Sequence, residues 1–193
     1  MPPIFPPGFT SIHVTRTTDR AGSPGSVRRH RFLPVSGYVE VGCGDGTFWK
    51  ENLDTLPDNL VVVLSDISNG MLRDARRTLE LTPPAFLSGP LTVRQFPMGT
   101  KFDLVIANHV LFYCDDISAA CAEIARVLKP GGTFLCSTYG QEHMKEISQL
   151  VSSFDDRIVL SSTKLYDRFG KENGRDILSP YFPGSPGNNT RTF

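Results

Sequence analysis

The chain has 193 residues, enough for one α/β domain with a proper hydrophobic core and few for two. Its 20 basic and 20 acidic residues cancel, which excludes a global field able to gather nucleic acid or an anionic membrane, so the expected partner is a small molecule. No apolar run approaches the roughly 18 residues that span a bilayer, and four cysteines without a C-x-x-C pair read as a reduced, cytoplasmic chain and not as a disulfide scaffold or metal site.

In chain order, residues 1–36 are rich in Pro, Gly, Ser, Thr and Arg and show no sustained apolar period, so they are read as irregular. The prolines near the start, with no basic segment leading into an apolar one, argue against an export signal. Tyr38-Val-Glu-Val41 is a short strand that runs into Gly42-Cys-Gly-Asp-Gly46 and then a helix through Phe48, Trp49 and Leu53. Leu60-Val-Val-Val-Leu64 is a continuous run of the kind buried on both faces of a parallel sheet, and Asp66 closes it. Ser68 can cap a second helix, whose Met71, Leu72, Ala75 and Leu79 oppose Arg73, Arg76 and Arg77. Pro83-Pro84 stops that helix, and Leu91-Thr-Val93 is read as a third strand. Phe102-Asp-Leu-Val-Ile-Ala-Asn108 is a fourth, followed by a helix from Asp115 or Asp116 that terminates at Lys129-Pro-Gly-Gly132. Thr133-Phe-Leu-Cys-Ser137 makes a fifth strand, and a helix follows around Met144 to Phe154. Beyond it only Arg157 to Ser162 has strand character, and residues 179–193 form an irregular tail.

Five strands alternating with helices predict a Rossmann-like, doubly wound, mostly parallel sheet over residues 37–178, with ligands at the carboxyl ends of the strands. The chemistry-bearing residues fall at those ends. In Glu40-Val-Gly42-Cys43-Gly44-Asp45-Gly46 the glycines allow a tight turn and close approach of a nucleotide-like cofactor. The third glycine of the dinucleotide fingerprint would fall at Thr47, which counts against a nicotinamide cofactor. Glu40 and Asp45 would repel a pyrophosphate and attract a sulfonium and an ammonium. Asp66 lies about 20 residues past the turn, the offset at which a carboxylate accepts from ribose hydroxyls. At the end of the fourth strand His109 is a candidate general base, the one ionisable group there suited to take a proton near neutral pH; the alternative is a packing residue.

Four segments in order resemble successive motifs of the class I S-adenosylmethionine-dependent methyltransferases: Tyr38 to Gly46, Leu64 to Leu72, Phe102 to His109 and Val127 to Phe134. Trp49 to Leu53, Tyr139 to Lys145 and Phe169 to Gly174 resemble a bacterial-type small-molecule branch of that family. The resemblance implies S-adenosyl-L-methionine as cofactor. It places Glu40, Gly42 and Gly44, with Cys43 between the glycines, at the methionine end. Asp66 would hold the ribose, Ile67 pack on the adenine and Asn108 close the site. The family usually carries an acidic residue near the end of the third strand, where Thr92 stands here, and the segment from Leu81 to Thr100 is short for it. It also implies a helix before the first strand and two strands after the fifth, neither of which the sequence displays, so the fold is expected to lack those last strands. The expected activity is methyl transfer to a small-molecule acceptor without a metal. Alternatives left open are a truncated, non-catalytic relative and an RNA or protein methyltransferase anchored by Arg28 to Arg31.

Overall fold

The computed structural model describes residues 10–15, 37–56, 60–79, 85–89, 96, 99, 101–158, 163–183 and 191–192. Seven strands form one sheet: β1 (Thr10–Thr15), β2 (Gly37–Val41), β3 (Val61–Ser65), β4 (Ala85–Gly89), β5 (Phe102–Asn108), β6 (Leu128–Thr138) and β7 (Arg191–Thr192). Their order across the sheet is β4-β3-β2-β5-β6-β1-β7. The five strands from β4 to β6 are parallel, and β1 lies antiparallel to both β6 and β7. The strand order reverses between β2 and β5, so a crevice for a ligand lies beyond their carboxyl ends.

Alternation along the strands sorts the core into two layers. Val39, Val41, Val105, Ala107, Phe134 and Cys136 pack on one face with Ala120, Cys121, Ile124 and Val127 of helix α3 (Ile117–Val127). Tyr38, Leu64, Ile106 and Leu135 pack on the other with Trp49 of α1 (Thr47–Asn52) and Leu72, Ala75 and Leu79 of α2 (Asn69–Leu79). The predicted caps form: Ser68 Oγ accepts from Met71 N at 3.3 Å, and Asp116 Oδ1 accepts from Ala119 N at 2.8 Å. Asp103 ties the lower ends of the central strands, accepting from Gly37 N at 2.9 Å and from Lys129 Nζ at 2.8 Å.

Four expectations change, the smallest being that Arg191–Thr192, in the tail read as irregular, is a strand paired with β1. The third parallel strand is Ala85–Gly89, and Leu91 to Val93, with Thr92, lies outside the described residues. Ala85-Phe-Leu pairs in register with Val61-Val-Val. The segment from Lys129 to Gly132 belongs to β6, with a register shift against Phe102 to Leu104 taking up the irregularity. Most consequential, Thr10–Thr15 is a strand inside the segment read as irregular, paired with β6 from Thr138 to Thr133. The four β-branched residues in Thr-Ser-Ile-His-Val-Thr are obscured in the sequence by the Pro and Arg around them. The edge of β6 is therefore covered by chain from the other end of the sequence, and the sheet is not open there.

After β6 come α4 (Lys145–Phe154), α5 (Leu165–Arg168) and α6 (Gly174–Leu178). Leu178 and Phe182 close the α3 layer, whereas α4 buries none of its residues. Phe154 is 88% exposed and Leu150 71%. Leu150→Ser and Phe154→Ser are each expected to leave the unfolding free energy within about 0.5 kcal/mol of the parent in urea titrations, because neither side chain is removed from water on folding. No helix among the described residues is long and apolar enough to cross a membrane.

Candidate functional site at the carboxyl ends of the parallel strands

The chain leaves β2 at Val41 and reverses in a turn with Gly42 at φ +72° and Gly44 at φ +56°, a region that costs a Cβ-bearing residue about 1 kcal/mol or more. Four amides of this turn, those of Gly42, Cys43, Gly44 and Gly46, are already committed. Gly42 N and Cys43 N donate to Ser65 O at 2.7 and 3.0 Å, and Gly44 N donates to Asp66 Oδ2 at 3.0 Å. Gly46 N donates to Cys43 O, and Thr47 N donates to Asp45 Oδ1 at 3.0 Å, a bond that holds the Asp45 carboxyl below its usual range. A pyrophosphate-binding turn must aim such amides at its ligand, so this one suits a cofactor held by other means.

Asp66, the residue after β3, supplies those means. Oδ2 accepts from Gly44 N and Oδ1 accepts from Ser68 N at 2.8 Å, which fixes the carboxylate beside the turn with lone pairs remaining for further donors. The next residue, Ile67, is 84% exposed, an aliphatic face beside an anchored carboxylate. Among the described residues, a Cβ built on Gly44 meets nothing within 4 Å beyond its chain neighbours, so the turn is open on that side. A hydroxylated ring held by the carboxylate, a flat base against the isoleucine and a slender chain over a glycine make up a nucleoside-type ligand.

Glu40 sits below the turn, 2% exposed. Each carboxylate oxygen accepts one hydrogen bond: Oε2 from the indole Nε1 of Trp49 at 2.6 Å, and Oε1 from Asn108 Nδ2 at 2.9 Å. Burial pushes its carboxyl up to about 7, opposed by these two hydrogen bonds and assisted by the nearby charge of Asp66. An unfolded carboxyl releases its proton near 4.5, so between about pH 4.5 and 7 the folded chain holds a proton that the unfolded chain has lost. Stability contributed by Glu40 therefore falls with rising pH across that window, by about 3 kcal/mol in all. Urea unfolding at pH 5 and pH 8 should display that loss, and Glu40→Gln should remove it.

Cys43 contributes backbone to the turn while its side chain packs with Trp49 and Leu64 below. Burial drives its thiol up to about 12, so it stays protonated and is no nucleophile.

At the end of β5, Asn108 and His109 form a corner, with His109 at φ +52°. The His109 ring stacks on Tyr139 at 6.2 Å and 22°, and Phe112, His143 and Tyr166 surround the same tyrosine at 4.9 to 6.3 Å. Burial, and then the charge of His143, lowers the His109 pKa, which keeps the imidazole neutral at neutral pH and able to accept a proton.

The structure thus gathers Glu40, Gly42, Cys43, Gly44, Asp66, Ile67, Asn108 and His109 at one end of the sheet. It seats Glu40 and the Cys43 side chain beneath the turn and not at its surface. Sequence reasoning missed Trp49 and Ser137 as polar partners and Tyr139 as the centre of an aromatic wall. Arg28 to Arg31 lie outside the described residues.

Fold and site together define a nucleoside-cofactor domain of the doubly wound kind. A family profile described as "Methyltransferase domain" matches residues 39–136, just over half of the chain. The chain is similar to the malonyl-[acyl-carrier protein] O-methyltransferase of Halalkalibacterium halodurans, 30% identical over 112 residues, covering 56% of this chain and 41% of that protein. The protein of the same name from Hamiltonella defensa is also 30% identical, covering 64% of this chain and 46% of its own length. This chain thus spans less than half the length of these relatives. Among solved structures, the complex of the Haloferax volcanii Trm112 methyltransferase activator with a putative methyltransferase matches with a TM-score of 0.55 and 22% identity, over 76% of this chain and 60% of that one. YcgJ from Bacillus subtilis matches at 0.53 and 18%, over 77% and 62%; both likenesses concern the fold. The chain belongs to the class I S-adenosylmethionine-dependent methyltransferases.

Proposed function

We propose that this chain binds S-adenosyl-L-methionine over the Gly42–Gly46 turn and transfers its methyl group to a small-molecule acceptor. The observation that carries the reading is the Asp66 carboxylate, bound to Gly44 N and Ser68 N beside the exposed Ile67. Asp66 would hold the ribose hydroxyls, Ile67 the adenine face, and the open side of Gly44 would admit the methionine chain. The cofactor supplies an electrophilic methyl on a cationic sulfur. The carboxylates of Asp45 and Asp66 favour that cation.

On the acceptor side, the aromatic wall of His109, Phe112 and Tyr139 excludes water and aligns a nucleophile, which supplies the proximity on which in-line transfer depends. Where the acceptor must lose a proton, the His109 imidazole takes it. The curated relatives named above are O-methyltransferases of a malonyl group on an acyl-carrier protein, which makes an oxygen nucleophile the first to try. Four cysteines that form no disulfide agree with a reducing, cytoplasmic setting.

The test is calorimetric titration with S-adenosylhomocysteine and S-adenosylmethionine, followed by an acceptor screen that reads S-adenosylhomocysteine release. Saturable binding with turnover on an oxygen acceptor is the expected result. A folded chain that binds neither compound would overturn the reading in favour of a non-catalytic relative. Acceptor turnover that falls steeply with salt would point instead to a nucleic-acid or protein acceptor.

A further inference from the structure

Three polar side chains share one face of the sheet at its carboxyl end. Glu40 of β2 pairs in register with Ile106 of β5; Asn108 lies two residues further on and pairs with Ser137 of β6. Alternation therefore turns Glu40, Asn108 and Ser137 toward the layer that holds Trp49. Their hydrogen bonds form a continuous row. Trp49 Nε1 donates to Glu40, Asn108 Nδ2 donates to Glu40, Ser137 Oγ donates to Asn108 Oδ1 at 3.2 Å, and His109 N donates to both Ser137 Oγ and Ser137 O at 3.2 Å.

The row has a direction. An indole N–H can only donate, so the Glu40 oxygen facing it accepts. A deprotonated carboxylate has no donor of its own, so Asn108 must turn its NH2 group to Glu40 and its oxygen away. That oxygen receives the Ser137 hydroxyl hydrogen, which leaves a Ser137 lone pair for the His109 amide. His109 is in the left-handed region, and the following Val110 lies against the turn so closely that a Cβ on Gly42 would overlap its Cγ2. Where the corner sits decides how much room remains over the turn.

We propose that Glu40 is a positioning residue: through Asn108 and Ser137 it orients the His109–Val110 corner that borders the cofactor turn. The proposal rests on the cofactor reading above and adds a role to the one the family resemblance gives to Glu40.

An exchange of partners, read at pH 8 where the Glu40 carboxyl is ionised, tests it. Glu40→Gln offers the row a donor and should weaken S-adenosylhomocysteine binding at least tenfold. Asn108→Asp sets a second carboxylate against Glu40 and should do the same. The double variant Glu40→Gln, Asn108→Asp restores one carboxylate and the direction of the remaining bonds. The oxygen of the introduced glutamine accepts from Trp49, its NH2 group donates to the introduced aspartate, and that aspartate accepts from Ser137. The double variant should bind within about threefold of the parent, a coupling that independent losses do not produce. Should a single variant fail to fold, Ser137→Ala replaces it; this change leaves the Trp49–Glu40 bond intact and should still cost at least tenfold in affinity while shifting the His109 ring resonances. Parental affinity in Glu40→Gln, or a double variant no better than the worse single one, would overturn the proposal. A parent chain that does not bind S-adenosylhomocysteine would overturn the cofactor reading and this inference together.

Discussion

Asp66→Ala should weaken S-adenosylhomocysteine binding by two orders of magnitude or more, with a much smaller effect on folding. Hydrogen bonds to an ionised acceptor contribute about 1.5–3 kcal/mol each, so two ribose hydroxyls account for roughly 3 kcal/mol or more. Removing the carboxylate also releases Gly44 N and Ser68 N, both near solvent, so water replaces much of what they lose. Asp66→Asn separates the two roles. One amide oxygen still accepts, so the variant should fall between alanine and the parent. Titration calorimetry beside thermal unfolding reads both effects, and equal affinity for parent and alanine variant would remove Asp66 from the site.

Gly42 and Gly44 of the turn should fail in opposite ways when each is changed to alanine. Gly42→Ala drives a methyl group into Val110 at a φ of +72°, and strain plus overlap should lower the unfolding free energy by about 2–4 kcal/mol. Gly44→Ala meets no atom of the described residues within 4 Å beyond its chain neighbours, so its cost in stability is the backbone term alone, about 1 kcal/mol. Its methyl group projects into the space assigned to the cofactor, and S-adenosylhomocysteine affinity should fall at least tenfold. Denaturant midpoints with and without ligand distinguish the two. A Gly44→Ala chain that binds like the parent would place the cofactor elsewhere.

Much of this architecture is legible in the sequence. The β-branched run of β3, the apolar–polar split of α2 and the glycines after Tyr38–Val41 each carry a local physical signal, and each lies where that signal places it. The ends of strands are where a doubly wound sheet keeps its chemistry, so Gly44, Asp66 and His109 stand out from position alone. Non-local pairing is not legible. Thr10–Thr15 has the composition of a strand, yet its partner lies more than a hundred residues along the chain, and no neighbouring residue announces it. The Glu40–Asn108–Ser137 row needs the register of three strands at once, and a one-residue slip in any of them would turn its side chain to the other layer. Sequence alone also leaves the ligand and positioning roles of Glu40 indistinguishable, because both place an acid before the turn.

The position of β1 has a consequence for how the protein is made. Synthesis runs from the amino terminus, so the strand that covers the edge of β6 leaves the ribosome before β6 exists. When β6 emerges and pairs with β5, the segment that caps its outer backbone has already been made. A sheet closed by later chain would hold that edge open through the interval when nascent chains are most prone to pair with one another. The price falls on the closing step: β1 must find a partner across almost the whole intervening chain, and contacts of that range form late and slowly. Once Thr138 has cleared the ribosome, the nascent chain already holds both strands of that pair, and the edge can close while the remainder is still being made.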